Sequence, residues 1–227
     1  MAYAIDRKAY IEGAFFGHGE PAYQVNPKGS KWHFENVKPI EMDLEKVRTL
    51  LAEAGYPRGF KSFLQVRQGE EAENALLQDQ LRKVGIDLEM QVLDSAQLQK
   101  NLYDGTGTIQ ISGSGIYADI DRALYTNFHS EVGGKRTGNH TGYKNPQVDQ
   151  LLERARAARD SKERRELYKK ATEIITDDSP EVNLAFITRF YGARNAVRGF
   201  TTNLVGTPRF HFPGGGLPVT WVEAEGK

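Results

Sequence analysis

Ile86, Leu88, Met90 and Val92 alternate with Asp87, Glu89 and Gln91, the two-residue period of a half-buried strand. Residues 60–66 are strand-like as well. Between the two runs, 70–84 predicts a helix, with acids in its first turn, Arg82 and Lys83 in its last and Gly85 as terminator. This succession is a β-α-β unit. A further short buried strand is expected at 107–112, where Ile109 and Ile111 alternate with Thr108 and Gln110. All three strands are expected in one sheet, with the 70–84 helix on one face.

Helical spacing marks the rest. Asp6 caps a helix bearing Ala9, Tyr10 and Ala14, which Gly13, Gly17 and Gly19 break up. Asp43 caps one with Leu44, Val47, Leu50, Leu51 and Ala54 on its apolar face, closed by Gly55 and Pro57. Asp94 caps a short helix to Tyr103. Asn145-Pro146 is a cap followed by an N1 proline, ahead of Val148, Leu151, Leu152, Ala155 and Ala158. Asp160 with Glu163 resembles a capping box for a helix carrying Leu167, Tyr168, Ala171, Ile174 and Ile175. Residues 18–40 read as a long ordered loop held by Trp32 and Phe34. Strand-like runs follow at 182–187 and 190–193. The tail from Thr201 is rich in Gly and Pro, and Gly214-Gly215-Gly216 implies mobility there.

Composition narrows the function classes. The 227 residues carry 30 basic and 30 acidic side chains, so no net field favours nucleic acid or an anionic membrane. No apolar run approaches the roughly 20 residues that span a bilayer. Cysteine is absent, which excludes a thiolate zinc site, a disulfide framework and a cysteine nucleophile. Met1 leads into Ala2-Tyr3-Ala4 without a basic segment or cleavage site, so no signal peptide is read, and a start inside a helix points to a fragment.

The candidate site is the turn after the 107–112 strand: Ser112, Gly113, Ser114, Gly115 and Tyr117, then Asp119 and Asp121. Ligands of open α/β sheets bind beyond the carboxyl ends of the strands, and Gly/Ser backbone approaches a ligand closely. The two acids stand two residues apart and so point to nearly opposite sides. Hence one is expected to face the crevice, Asp119, and the other to cap a short helix at 122–128. The alternative is that both merely cap or face solvent. Arg67, ending the 60–66 strand, shares that sheet edge if the strands run parallel. It either holds a ligand carboxylate through paired hydrogen bonds or is solvated beside Glu70-Glu71. Trp32 reads as an anchor of its loop. No catalytic residue, metal or cofactor is expected. The histidines show no ligand spacing, Gly113-Ser114-Gly115 is not a nucleophile elbow, and the Walker lysine and the dinucleotide fingerprint are missing.

Several stretches together resemble a known family. Ala4-Ile5-Asp6-Arg7-Lys8-Ala9, Leu50-Leu51-Ala52-Glu53-Ala54-Gly55-Tyr56-Pro57 with Gly59-Phe60, Leu81 to Ile86, Asn139 to Leu152 and Val197-x-Gly199-Phe200 stand in the order of the peptide/nickel-type extracellular solute-binding proteins of ABC importers. The resemblance implies the C-terminal lobe of a type II periplasmic-binding-protein-like fold, an α/β mixed sheet flanked by helices. Residues 1–200 would form the ligand-binding lobe and 201–227 a tail returning towards a missing N-terminal lobe. It further implies a periplasmic or extracellular setting, a peptide or other small solute as ligand, an ABC permease as partner, and neither nucleic-acid binding nor direct membrane insertion. Asp119 would meet a peptide amino group and Arg67 a peptide carboxylate. Two departures stand out: Ser114-Gly115 stands where the family often has tryptophan, and where Asp-Pro-Asp usually follows, Ile120-Asp121-Arg122 has no proline. Tyr117 could supply the aromatic wall. The competing readings are a hydrolase using Asp119 or a loop histidine, and a non-catalytic structural or interaction domain.

Overall fold

The structure is a computed structural model, describing residues 1–107, 109–111, 113, 119–132, 138–201 and 220–223. Its elements run in chain order as α1 (Arg7–Phe15), β1 (Gly19–Pro21), α2 (Leu44–Glu53), β2 (Phe60–Arg67), α3 (Glu71–Arg82), β3 (Ile86–Leu93) and α4 (Ser95–Asp104). Then come β4 (Ile109–Gln110), α5 (Ile120–Phe128), α6 (Pro146–Ala157), α7 (Ser161–Asp178), β5 (Ala185–Ile187), β6 (Val197–Arg198) and β7 (Trp221–Val222).

Local chemistry accounts for most boundaries. Asp6, Asp43, Asp94, Asn145 and Asp160 each cap a helix by accepting a backbone N–H two or three residues on. Gly105 ends α4 in the left-handed region, where its N–H bonds to the carbonyls of Asn101 and Leu102. The helix expected at 122–128 starts earlier, at Ile120, because Asp119 is its cap.

The chain divides into two units, one of residues 1–113 with 119–187 and one of residues 114–118 with 188–227. The first holds a three-stranded parallel sheet in the order β3-β2-β4. Leu64, Val66, Ile86 and Leu88 project from one face onto Leu77 and Leu81 of α3 and Tyr10 of α1. The three expected strands thus share one sheet, and α3 covers it. Gly59 and Gly85, both at positive φ, let the starts of β2 and β3 approach closely: a Cβ on Gly59 would stand 1.9 Å from the Gly85 carbonyl oxygen.

A second apolar cluster joins Ile120, Leu124 and Phe128 of α5, Val148, Leu152 and Ala155 of α6, and Leu167, Tyr168, Ala171 and Ile175 of α7. Trp32, Phe34 and Val37 pack into it, so the long loop after β1 is pinned as its aromatics imply. That loop opens with an unexpected strand: β1 pairs antiparallel with β5 through Gly19↔Ile187 and Pro21↔Ala185.

In the second unit β6 and β7 pair antiparallel, and Arg198 Nη2 meets Glu223 Oε2 at 2.7 Å. No strand forms at 190–193. A strand needs partners for its N–H and C=O groups, and among the described residues of this unit the pairing falls to Val197–Arg198 instead. Within the tail, 202–219 and 224–227, including the Gly214-Gly216 run, lie outside the described residues. No described helix is long and apolar enough to cross a membrane.

Candidate functional site

The carboxyl ends of β2 and β4 lie on the same edge of the sheet because the strands run parallel. β2 ends at Arg67. The chain then turns, with Glu70 N–H bonding to the Arg67 carbonyl at 3.0 Å, and Arg67 Nη1 donates to Glu70 Oε1 at 2.9 Å. The pair is about half exposed, so solvent screens it and leaves it weakly held. Arg67 therefore sits beside the acidic turn and at the expected edge together.

β4 ends at Gln110 and leads towards Gly113. Ser112, Ser114, Gly115 and Tyr117 lie outside the described residues. The chain is described again from Asp119, whose Oδ1 accepts the Asp121 N–H at 3.0 Å and caps α5. Arg164 of α7 brings Nη2 within 3.1 Å of both carboxylate oxygens. Among the described residues no histidine or second carboxylate is recorded in a bond to Asp119.

Asp121 points to a different set of partners. Tyr168 donates its hydroxyl hydrogen to Asp121 Oδ1 at 2.9 Å, and Arg156 Nε lies 3.3 Å from the same oxygen. Arg164 links the two carboxylates, donating to the Tyr168 hydroxyl at 3.4 Å. Burial, then the bond to Asp121, pushes the Tyr168 hydroxyl well above its ordinary pKa. Partial burial works against the Arg164 charge, but the hydrogen bonds it donates to Tyr168 and Asp119 outweigh it and hold the guanidinium more firmly protonated. Aromatic faces complete the cluster: Arg156 lies 3.9 Å from the centre of the Tyr125 ring and Arg164 5.5 Å from that of Trp32. Trp32 is 7% exposed and packs edge-on to Tyr168, as a core anchor.

His129 follows the last residue of α5 in a connecting segment, but it is buried rather than solvated. Its ring stacks on Tyr125, Nδ1 accepts the Glu131 N–H at 3.2 Å, and Nε2 stands 3.3 Å from Glu153. Among the described residues no group of three or more His, Asp or Glu could hold a metal ion.

Sequence reasoning missed Arg164 and Tyr168 as partners of the two aspartates. The only signal was their i,i+4 spacing on one face of the 161–178 helix, which does not name what lies opposite. It also missed a row of amides, Gln65, Gln91 and Gln110, that crosses the sheet.

The model for bacterial extracellular solute-binding proteins, family 5 (middle region), matches residues 1–135. The chain belongs to that family. Among family 5 relatives, the glutathione-binding protein GsiB of Escherichia coli K12 is 33% identical over 193 residues, which is 81% of this chain and 38% of GsiB. The chain thus spans about two fifths of the length of the curated relatives it matches. Among solved structures, the periplasmic binding protein DppA of Helicobacter pylori, in complex with the peptide STSA, superposes with a TM-score of 0.82 at 28% identity, over 98% of this chain and 43% of DppA. The binding protein AgaA of A. tumefaciens R10, in complex with agropinic acid, gives 0.81 at 26% identity, over 99% of this chain and 46% of AgaA. The fold is that of the C-terminal lobe of a type II periplasmic binding protein, an α/β arrangement with parallel and antiparallel strand pairs flanked by helices.

Proposed function

We propose that the chain is part of the substrate-binding component of an ABC importer, non-enzymatic and working in a periplasmic or extracellular setting. It captures a peptide or peptide-like solute such as glutathione by closure of two lobes and presents it to a membrane permease. The observation that carries this reading is the superposition of 98% of the chain on a peptide-bound binding protein. Residues 1–200 serve as the lobe and 201–227 as the tail that returns towards the other lobe. The residues read as contacting the solute are those from Ser112 to Tyr117, together with Arg67.

Asp119 is the recognition carboxylate in this reading only if a ligand cation shares or displaces Arg164, since both its oxygens are already in that contact. Asp119→Asn keeps an oxygen for the Asp121 N–H and removes the charge. If Asp119 meets a ligand amino group, the variant weakens binding by about 1.5–3 kcal/mol, the range of a charge-assisted hydrogen bond. An unchanged affinity assigns Asp119 to capping alone. The experiment is native mass spectrometry of the full-length protein purified from its host, followed by calorimetric titration with the co-purified solute. Absence of any co-purified solute, with no heat from glutathione or short peptides, would overturn the reading. The agropinic acid complex favours a second one, a non-peptide solute in the same place, which the same mass spectrum separates.

A further inference from the structure

β6 and β7 pair through two residue couples, Val197↔Val222 and Arg198↔Trp221. Among the described residues neither strand has a second neighbour. Residues directly opposite share a face, so Val222 stands with Val197 on one side of the ribbon and Trp221 with Arg198 on the other. Val222 is 70% exposed and Trp221 55%. One strand thus turns a large apolar side chain to solvent on each face. Neither apolar cluster draws a described member from this unit. Local support comes from the Glu223 N–H, bonded to the Ala196 carbonyl at 2.8 Å, and from the ion pair of Arg198 with Glu223. Both members of that pair are half exposed, so water screens it. A ribbon of two strands is marginal in water at best, and needs a further strand or a covering element to persist.

We propose that β6 and β7 belong to a larger sheet, completed by the part of the full-length protein outside these 227 residues, which adds a strand and covers Trp221 and Val222. The proposal rests on the two-lobe reading and extends it upstream of Thr201, since half of the ribbon lies at 197–198. Strand addition supplies both things the ribbon lacks. Its open edges offer backbone N–H and C=O groups in a row, which an extended segment can pair. Consecutive apolar residues on β7 are the pattern of a strand covered on both sides rather than on one. Chain length points to the occupant. DppA superposes over 98% of this chain, a share that cannot be reached without the second unit, yet the match takes in 43% of DppA. The second unit therefore recurs inside a chain more than half of which has no counterpart here. A second copy of this chain would bring only another ribbon of two couples, with the same charges at Arg198 and Glu223.

The test uses the full-length protein that carries this chain. Backbone amides at 197–198 and 221–222 should exchange at least about a hundredfold more slowly than in an unstructured peptide. The emission lost on substituting Trp221→Phe should be emission that iodide fails to quench. Val222→Lys should lower the urea midpoint, because a charge would be buried under the added layer, whereas Val222→Ile should keep it. Exchange at the free-peptide rate overturns the proposal, and so does Trp221 emission quenched as fully as that of free indole. An unchanged midpoint in Val222→Lys overturns it as well, since Val222 would then be open to water in the whole protein. Should Val222→Lys fail to fold, exchange in the wild type and quenching against Trp221→Phe decide alone. Protection that rises with protein concentration, together with a dimer in sedimentation, would make a second copy the occupant and likewise overturn the proposal. None of these measurements involves a solute. If the protein captures none, the solute-binding reading fails, while exchange and quenching still decide whether the ribbon is completed from within its own chain.

Discussion

Tyr168 shows how one hydroxyl can organise two carboxylates. It donates to Asp121, accepts from Arg164, and Arg164 in turn holds Asp119. Tyr168→Phe keeps the buried ring and removes that link. We expect a loss of about 1–3 kcal/mol, the penalty for leaving a largely buried acceptor short of a donor, read from the shift of a urea unfolding curve. The same residue predicts a pH dependence. Its folded pKa lies above its unfolded value, so the native state keeps the proton longer than the unfolded chain. That stabilisation is fully present below the unfolded value near 10 and is lost as pH rises through the folded value. Tyr143, and Tyr10, pushed up to about 12, are raised in the same direction, in each case first by burial. Stability should therefore decline above about pH 10, and Tyr168→Phe should remove part of the slope. An identical alkaline limb in both proteins would show that Tyr168 titrates alike folded and unfolded.

At the scale of elements, what was legible in the sequence is what short-range chemistry decides. Asp43, Asp94 and Asn145 announce helix starts because a cap and its N–H lie within three residues of each other. Partners distant along the chain left no such mark. β1 contains a proline, is three residues long, and pairs with β5 at the far end of the unit, so nothing near 19–21 predicts it. Gln91 and Gln110 occupy the polar phase of their strands, which alternation assigns to solvent, whereas both stand in an amide row with buried Gln65. The strand ahead of the candidate turn was legible in its alternation, and it does run parallel to β2. That Arg164 faces Asp119 was not, since 45 residues separate them. The glycines give a sharper test of sequence-encoded geometry. Gly55 and Gly59 both adopt positive φ, but a Cβ meets nothing within 4 Å at Gly55 and the Gly85 backbone at Gly59. Gly55→Ala should cost about 1–2 kcal/mol, the strain of a left-handed residue. Gly59→Ala must also separate two backbones and should cost clearly more in the same denaturation assay. Equal losses would mean that the β2–β3 entrance yields without penalty.

At the scale of the whole molecule, the chain covers 38% of the GsiB sequence and 43% of the DppA structure, yet nearly all of itself superposes on the latter. Among the described residues both apolar clusters draw their members from residues 1–187, so this part of the chain is expected to unfold cooperatively by itself. Binding is a different matter. Clefts commonly bury most of a small ligand's surface, and in a two-lobe receptor one lobe supplies only part of those contacts. The loss of translational and rotational freedom, on the order of 4–15 kcal/mol, is nevertheless incurred in full. With each missing contact worth about 1 kcal/mol, the chain alone should bind the solute of the full-length protein more weakly than about 100 μM. Trp221 and Val222, 55% and 70% exposed, would remain open to self-association in the same preparation. Calorimetric titration and sedimentation velocity on the isolated 227 residues test both expectations. Submicromolar binding by a monomer would mean that recognition is complete within this chain, and capture between two lobes would then have to be abandoned as its mechanism.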